Sequence, residues 1–226
     1  MAASLPRNSL PTTTAGTRLI LIRHAHVDTG PDGGRLCGWL DLPLSPAGRR
    51  QLEPLHAGPG PARPDALYSS SLLRARATAD ALGHAWNLPC IFVPALREIG
   101  CGELEGVSIA ELRVNHSDLW SRNLAQSDDD FAWPSGESYR GFRERIRAAL
   151  TRIAARHPRG RVSIVTHTGA ITQVMGLLHG DRPAAWEHHR AAPFSATEIE
   201  WRGNRPTELL FFNRTDWWRA SPPPAS

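Results

Sequence analysis

The chain contains no lysine; all 26 of its basic residues are arginine. That excludes a P-loop lysine and a Schiff-base lysine, and with them the phosphate and carbonyl chemistries that depend on an ε-amino group. Cysteine is scarce. Cys37, Cys90 and Cys101 are odd in number and too few for a disulfide framework, and none has the paired spacing of a zinc site. They suit a reducing, cytoplasmic compartment. No apolar run approaches the roughly 18 residues of a membrane span. Residues 1–16 are rich in Ser, Thr and Pro and lack the apolar core of a secretory signal. That N-terminus and the tail at 216–226 are expected to be mobile, which leaves 17–215 as the folded domain.

What is present supports one α/β domain: 226 residues, 41% of them apolar, are enough for a single core. The formal net charge of +4 suits an anionic ligand. The arginines are dispersed except along 140–156, and a solvated helix face accounts for that cluster better than nucleic acid does.

The chain is organised around Arg18-Leu-Ile-Leu-Ile-Arg-His-Ala-His26. Leu19 to Ile22 form a continuous apolar run, the pattern of a strand buried on both faces of a parallel sheet. Arg23 and His24 then follow at its carboxyl end, where open α/β sheets bind ligands. A permanent cation and an imidazole beside a core are costly, and an anion would offset that cost.

Further short strands are expected at Ala66–Ser69, Cys90–Val93 and Val162–Thr166. Between them lie helices from Pro46 to about Leu55, from a Ser70 or Ser71 cap to Trp86, from Tyr139 to Arg156 and from Gly169 to Leu178. Ser108-Ile-Ala-Glu111 is a capping box opening another helix. Asp128 to Asp130 read as a solvated turn. Segments 195–201 and 207–213, flanking Gly203-Asn204, form an antiparallel pair closing the sheet. The fold class is therefore α/β: a three-layer sandwich, mainly parallel sheet with helices on both faces and an antiparallel edge strand.

Two of these strands end in histidine, His24 and His167, and two lead into Arg74 and Glu98. A lone histidine at a strand end is ordinarily satisfied by a carbonyl, and a lone glutamate usually stays at the surface. Four such residues at one sheet edge form a coherent chemistry instead. Two arginines and a histidine hold three phosphate oxygens, a neutral imidazole attacks phosphorus, and a carboxylic acid protonates the leaving oxygen.

Four stretches in order, Leu21–Ala25, Leu36–Gly48, Ser69–Ala79 and Val165–Gly169, together with Leu96–Gly100, Glu105-Gly106 and Ser135–Ser138, resemble the histidine phosphatase superfamily, also called phosphoglycerate-mutase-like. The resemblance implies His24 as the nucleophile that becomes phosphohistidine, Arg23, Arg74 and His167 as the phosphate pocket, and Glu98 as general acid and later base. It implies no metal and no cofactor. Cys37 and Gly38 match a loop that contacts substrate in the mutases. The sequence departs from the family pattern at Ala25, His26, Gly30 and Thr168.

The short interval between Glu98 and His167 resembles the phosphatase members, so hydrolysis of a small phosphorylated substrate is expected, with alpha-ribazole phosphatases and broad-specificity acid phosphatases both compatible. Mutase-type phosphoryl transfer is the alternative. More distant are an inactive phospho-ligand binder and an amidohydrolase barrel using His24-Ala-His26 as metal ligands. Residues 104–135 are expected to cover the pocket, where Trp120, Phe131 and Trp133 either stack on a leaving group or pack the lid.

Overall fold

The computed structural model describes residues 15–31, 34–56, 62–125, 127–180 and 189–219. The strands are β1 (Thr17–Arg23), β2 (Ala66–Ser69), β3 (Cys90–Phe92), β4 (Arg161–Thr166), β5 (Ala196–Arg202) and β6 (Arg205–Arg214). They form one sheet in the order β3-β2-β4-β1-β5-β6. The first four run parallel; β5 is antiparallel to β1, and β6 to β5.

The apolar run of β1 explains the layering. Successive side chains of a strand point to opposite faces. Leu19 and Leu21 enter a core with Phe142, Ile146, Leu150 and Ile153 of α5 (Tyr139–Arg156) and Ile171 and Val174 of α6 (Thr168–Leu178). Ile20 and Ile22 enter a second core with Leu52 of α1 (Pro46–Leu52) and Ala75, Ala79, Leu82 and Trp86 of α2 (Leu73–Trp86). This is the expected three-layer sandwich, and an open six-stranded sheet removes the barrel that the amidohydrolase reading required.

Two short helices, α3 (Ile109–Asn115) and α4 (Ser117–Ala125), carry a satellite core of Leu104, Leu112, Phe131, Trp133 and Tyr139. Phe131 and Trp133 are buried there, so they pack the lid onto the domain. Ser108 caps α3 by accepting from the Glu111 amide at 3.1 Å.

Several local expectations change. Neither Ser70 nor Ser71 caps α2: its N-cap residue is Leu72, and the Leu73 amide donates to Asp41 Oδ1 at 2.6 Å. The cap is supplied from another loop. The arginines of α5 are not simply a solvated face, nor are the three aspartates a bare turn. Asp128 pairs with Arg122, Asp129 with Arg143, and Asp130 with Arg140, so each carboxylate has its own guanidinium. Arg143 is buried, where an unpaired charge would be costly. At the C-terminus packing continues past the expected boundary at 215. Trp217 packs on Phe194 and Trp86 and donates from Nε1 to the Phe194 carbonyl at 2.9 Å. The expected mobile residues 1–14 and 220–226 lie outside the described residues.

Candidate active site

The parallel strands fix the site. Arg23 of β1 stands opposite Thr166 of β4, and the ladder continues one step as the His24 amide donates to the Thr166 carbonyl at 3.0 Å. His24 and His167 therefore leave adjacent strands side by side, with ring centroids 5.1 Å apart. At the end of β2 the Ser70 amide donates to the Val165 carbonyl, and Ser70 Oγ lies 2.8 Å from His167 Nε2.

His24 Nδ1 lies 2.7 Å from the carbonyl oxygen of Ala25. A carbonyl only accepts, so Nδ1 carries the ring proton and Nε2 keeps its lone pair. Burial, reinforced by Arg74 and Arg23, holds the His24 imidazolium pKa well below its ordinary value. Burial followed by Arg74 and His24 does the same for His167. Both rings are neutral at neutral pH.

The cations are held by carbonyls. Arg74 is 2% exposed and donates to the carbonyls of Leu40 at 2.7 Å and Gly38 at 2.8 Å. Arg23 donates to the Ala191 carbonyl at 2.6 Å. Among the described residues neither makes an ion pair within 4.0 Å. Burial lowers the pKa of both, that of Arg23 to about 10, which leaves it charged at neutral pH. Arg23 Nε and His167 Nδ1 are buried without a partner. The geometry thus offers positive charge and unused nitrogens to an anion.

Glu98 faces this group from the turn after β3. Its oxygens accept from the Ile99 amide at 3.0 Å and the Gly169 amide at 2.9 Å. Gly169 is needed at that contact, because a β-carbon there would stand 2.1 Å from Glu98 Oε1. Glu103 instead accepts from Ser135, and Glu105 from the Trp39 and Cys101 amides. Glu98 is the one carboxylate among the described residues lining the cavity, a cleft of about 930 Å³.

That cleft is lined by Arg23, His24, Arg74 and Glu98, with Cys37 and Gly38 at one side. His167 stands fully buried behind them. Gly38 adopts φ +39, and a β-carbon there would meet Cys101 Sγ at 2.8 Å. Burial raises the Cys37 thiol pKa, so it stays protonated at neutral pH and does not compete as a nucleophile. His26 lines the cleft and is held through Nδ1 by Ser45 Oγ at 2.8 Å. Trp120 lines it from the lid. Among the described residues no group of three or more His, Cys, Asp or Glu is placed to hold a metal ion, and no helix is long and apolar enough to cross a membrane.

Sequence reasoning missed Arg145. From α5 it donates to the carbonyls of Ala95, Arg97 and Glu98, each at 3.0 Å, while Glu137 holds its other edge at 2.6 and 2.8 Å. It braces the turn that presents Glu98. The one available signal was the Ser135–Ser138 motif, which contains Glu137. Ser70 and Asp41 were missed as well, since both act on residues distant in sequence.

The sequence profile of the histidine phosphatase superfamily (branch 1) matches residues 19–214. The chain belongs to that superfamily. Among its relatives, the metal-independent phosphoserine phosphatase of Arabidopsis thaliana is 31% identical over 160 residues, covering 70% of this chain and 67% of that protein. A probable phosphoglycerate mutase of Proteus mirabilis is 27% identical over 187 residues, covering 83% of this histidine phosphatase superfamily member and 86% of the relative. A mycobacterial glucosyl-3-phosphoglycerate phosphatase structure superposes with a TM-score of 0.74 at 27% identity, covering 87% of this chain and 98% of the other.

The two depressed imidazoles make the fold acid-sensitive. An unfolded histidine takes up a proton near pH 6.5, whereas His24 and His167 do so in the folded state only at lower pH. In that window the unfolded chain binds more protons. The stabilisation is fully present above about pH 6.5 and is lost as pH falls toward the folded values, at about 1.4 kcal/mol per pH unit for each ring. Urea unfolding between pH 7.5 and 5.5 should show that slope, and His24→Gln should remove one histidine's share. A slope unchanged in the variant would show that His24 is not a source of it.

Proposed function

We propose that the protein is a phosphatase that hydrolyses a small phosphomonoester through a phosphohistidine intermediate. The observation carrying this reading is the hydrogen bond from His24 Nδ1 to the Ala25 carbonyl, which leaves Nε2 with the lone pair that a nucleophile needs. Arg23, Arg74 and His167 bind the phosphoryl oxygens. Ser70 donating to His167 Nε2 would keep the ring proton on Nδ1, the nitrogen without a partner. The N-termini of α2 and α6 add favourable dipoles for an anion.

In the first step the Nε2 lone pair forms the N–P bond and the ester P–O bond breaks. Protonated Glu98 gives its proton to the departing oxygen. In the second, Glu98 as carboxylate takes a proton from water as it attacks phosphorus, the N–P bond breaks, and inorganic phosphate leaves with His24 restored. Positive charge on two buried arginines stabilises the charge developing on the equatorial oxygens, where a low-dielectric setting makes each interaction count for more than in water. Cys37 and Gly38 border the leaving group.

The protein requires no cofactor in this scheme, and its three free thiols suit a reducing cytoplasm. A phosphate-release assay on p-nitrophenyl phosphate and glycerol phosphate tests the reading, with chelator present throughout. Turnover is expected to be the same with and without chelator. Activity lost to chelator and restored by zinc or magnesium would sink the metal-free mechanism; absence of phosphate release would sink the phosphatase reading.

The 27% identity with a probable phosphoglycerate mutase supports a second reading, in which a hydroxyl of the bound alcohol rather than water takes the phosphoryl group. Incubation with 3-phosphoglycerate separates the two: release of phosphate marks hydrolysis, isomerisation without release marks transfer.

A further inference from the structure

The partnerless polar atoms in and behind the cleft fall into two sets. At the phosphate end they are Arg23 Nε, a donor, and His167 Nδ1. Along α6 they are Thr168 Oγ1 and Gln173 Oε1, a hydroxyl and an amide oxygen. Thr168, Gly169, Thr172 and Gln173 all line the cleft, two adjacent pairs one turn apart on the same helix face. Thr172 is satisfied by the carbonyls of Thr168 and His189, at 3.0 and 3.2 Å. Gln173 is only 3% exposed, yet its amide oxygen bonds to nothing among the described residues. A buried polar group without a partner is destabilising and uncommon, and a cleft wall is where such a group serves a ligand.

Gly169 ties this wall to the chemistry, because its amide holds Glu98 at 2.9 Å. The amide that holds the leaving-group acid and the partnerless atoms thus stand on one helix. We propose that Thr168 and Gln173 form a leaving-group subsite that selects phosphomonoesters whose alcohol carries further hydroxyl groups close to the ester. A hydroxyl both donates and accepts, so it satisfies Gln173 in either orientation of the amide and Thr168 in either sense. An alkyl leaving group of equal length leaves both atoms unpaired and desolvated. The inference rests on the phosphatase reading for the position of the ester, and it names the substrate class of that same site.

Glycerol 3-phosphate and n-propyl phosphate share the phosphate and the three-carbon length, and differ by two hydroxyls. Their binding is measured calorimetrically on the His24→Ala protein, which removes turnover, and again after adding Gln173→Leu or Thr168→Val. Glycerol 3-phosphate is expected to bind about tenfold more tightly than n-propyl phosphate, the scale of one or two hydrogen bonds to otherwise unpaired groups. The ratio is expected to fall toward one in the added variants, with n-propyl phosphate affinity retained as the check that the cleft is intact.

A ratio near one in His24→Ala alone overturns the proposal, as does a ratio that survives both added variants. No measurable binding of either ester counts against it as well. Hydrolysis by the unsubstituted protein is followed in parallel with both esters. If neither is hydrolysed while the binding ratio stands, the phosphatase reading falls and the subsite remains.

Discussion

His24→Ala is expected to abolish the phosphoenzyme and lower turnover by about 10⁵-fold or more, on the scale that losing a covalent nucleophile costs other hydrolases. The residue has no understudy in the required state. His167 is fully buried and its Nε2 is engaged with Ser70 Oγ at 2.8 Å. His26 is held by Ser45. Brief incubation with labelled ester and an acid-free quench should trap an acid-labile, alkali-stable phosphoprotein in the unsubstituted chain and none in the variant. The fold should persist, since replacing His24 removes a ring whose burial already costs stability under acid. Label retained in His24→Ala would relocate the nucleophile, with His167 the first candidate.

Glu98→Gln tests a different step. An alkoxide must be protonated as it departs, whereas a nitrophenolate departs largely unaided, so loss of the acid should discriminate between esters. General acid–base catalysis contributes about 10²–10⁴-fold. Phosphorylation by an alkyl ester should fall by that factor in the variant, and phosphorylation by p-nitrophenyl phosphate by much less. The amide side chain preserves the bond from the Gly169 amide to the side-chain oxygen, so the geometry of the turn is retained. Hydrolysis of the phosphoenzyme should also slow, because the same carboxylate would activate water. Single-turnover kinetics with both esters reads all three effects. Equal losses on both esters would make Glu98 a positioning residue. Glu103 and Glu105 could not replace it without leaving their partners Ser135, Trp39 and Cys101.

How much of this was legible in the chain depends on how far each contact reaches. The strand ends were legible because a buried strand and the polar residue that terminates it are neighbours in sequence; β1 and β4 therefore announced Arg23, His24 and His167. The capping box at Ser108 was legible for the same reason. The caps and braces made across the fold were not. Asp41 serves the start of α2 from 32 positions away, and Arg145 holds the Glu98 carbonyl from 47. No local pattern distinguishes a helix arginine that reaches a distant carbonyl from one that reaches water. The packing of Trp217, past the expected boundary at 215, was hidden similarly, because its partners are Trp86 and Phe194.

The spacing of the two site histidines has a backbone origin. His24 donates to Thr166 in the step that would continue the β1–β4 ladder, and the rings stand 5.1 Å apart, close to the roughly 4.8 Å between neighbouring strands. The sheet acts as a ruler whose division is a hydrogen bond. Substitutions in the two cores change how firmly that ruler is clamped without changing its graduation. The lid packs on a satellite core of its own, so changes there leave the spacing of the two histidines to the sheet.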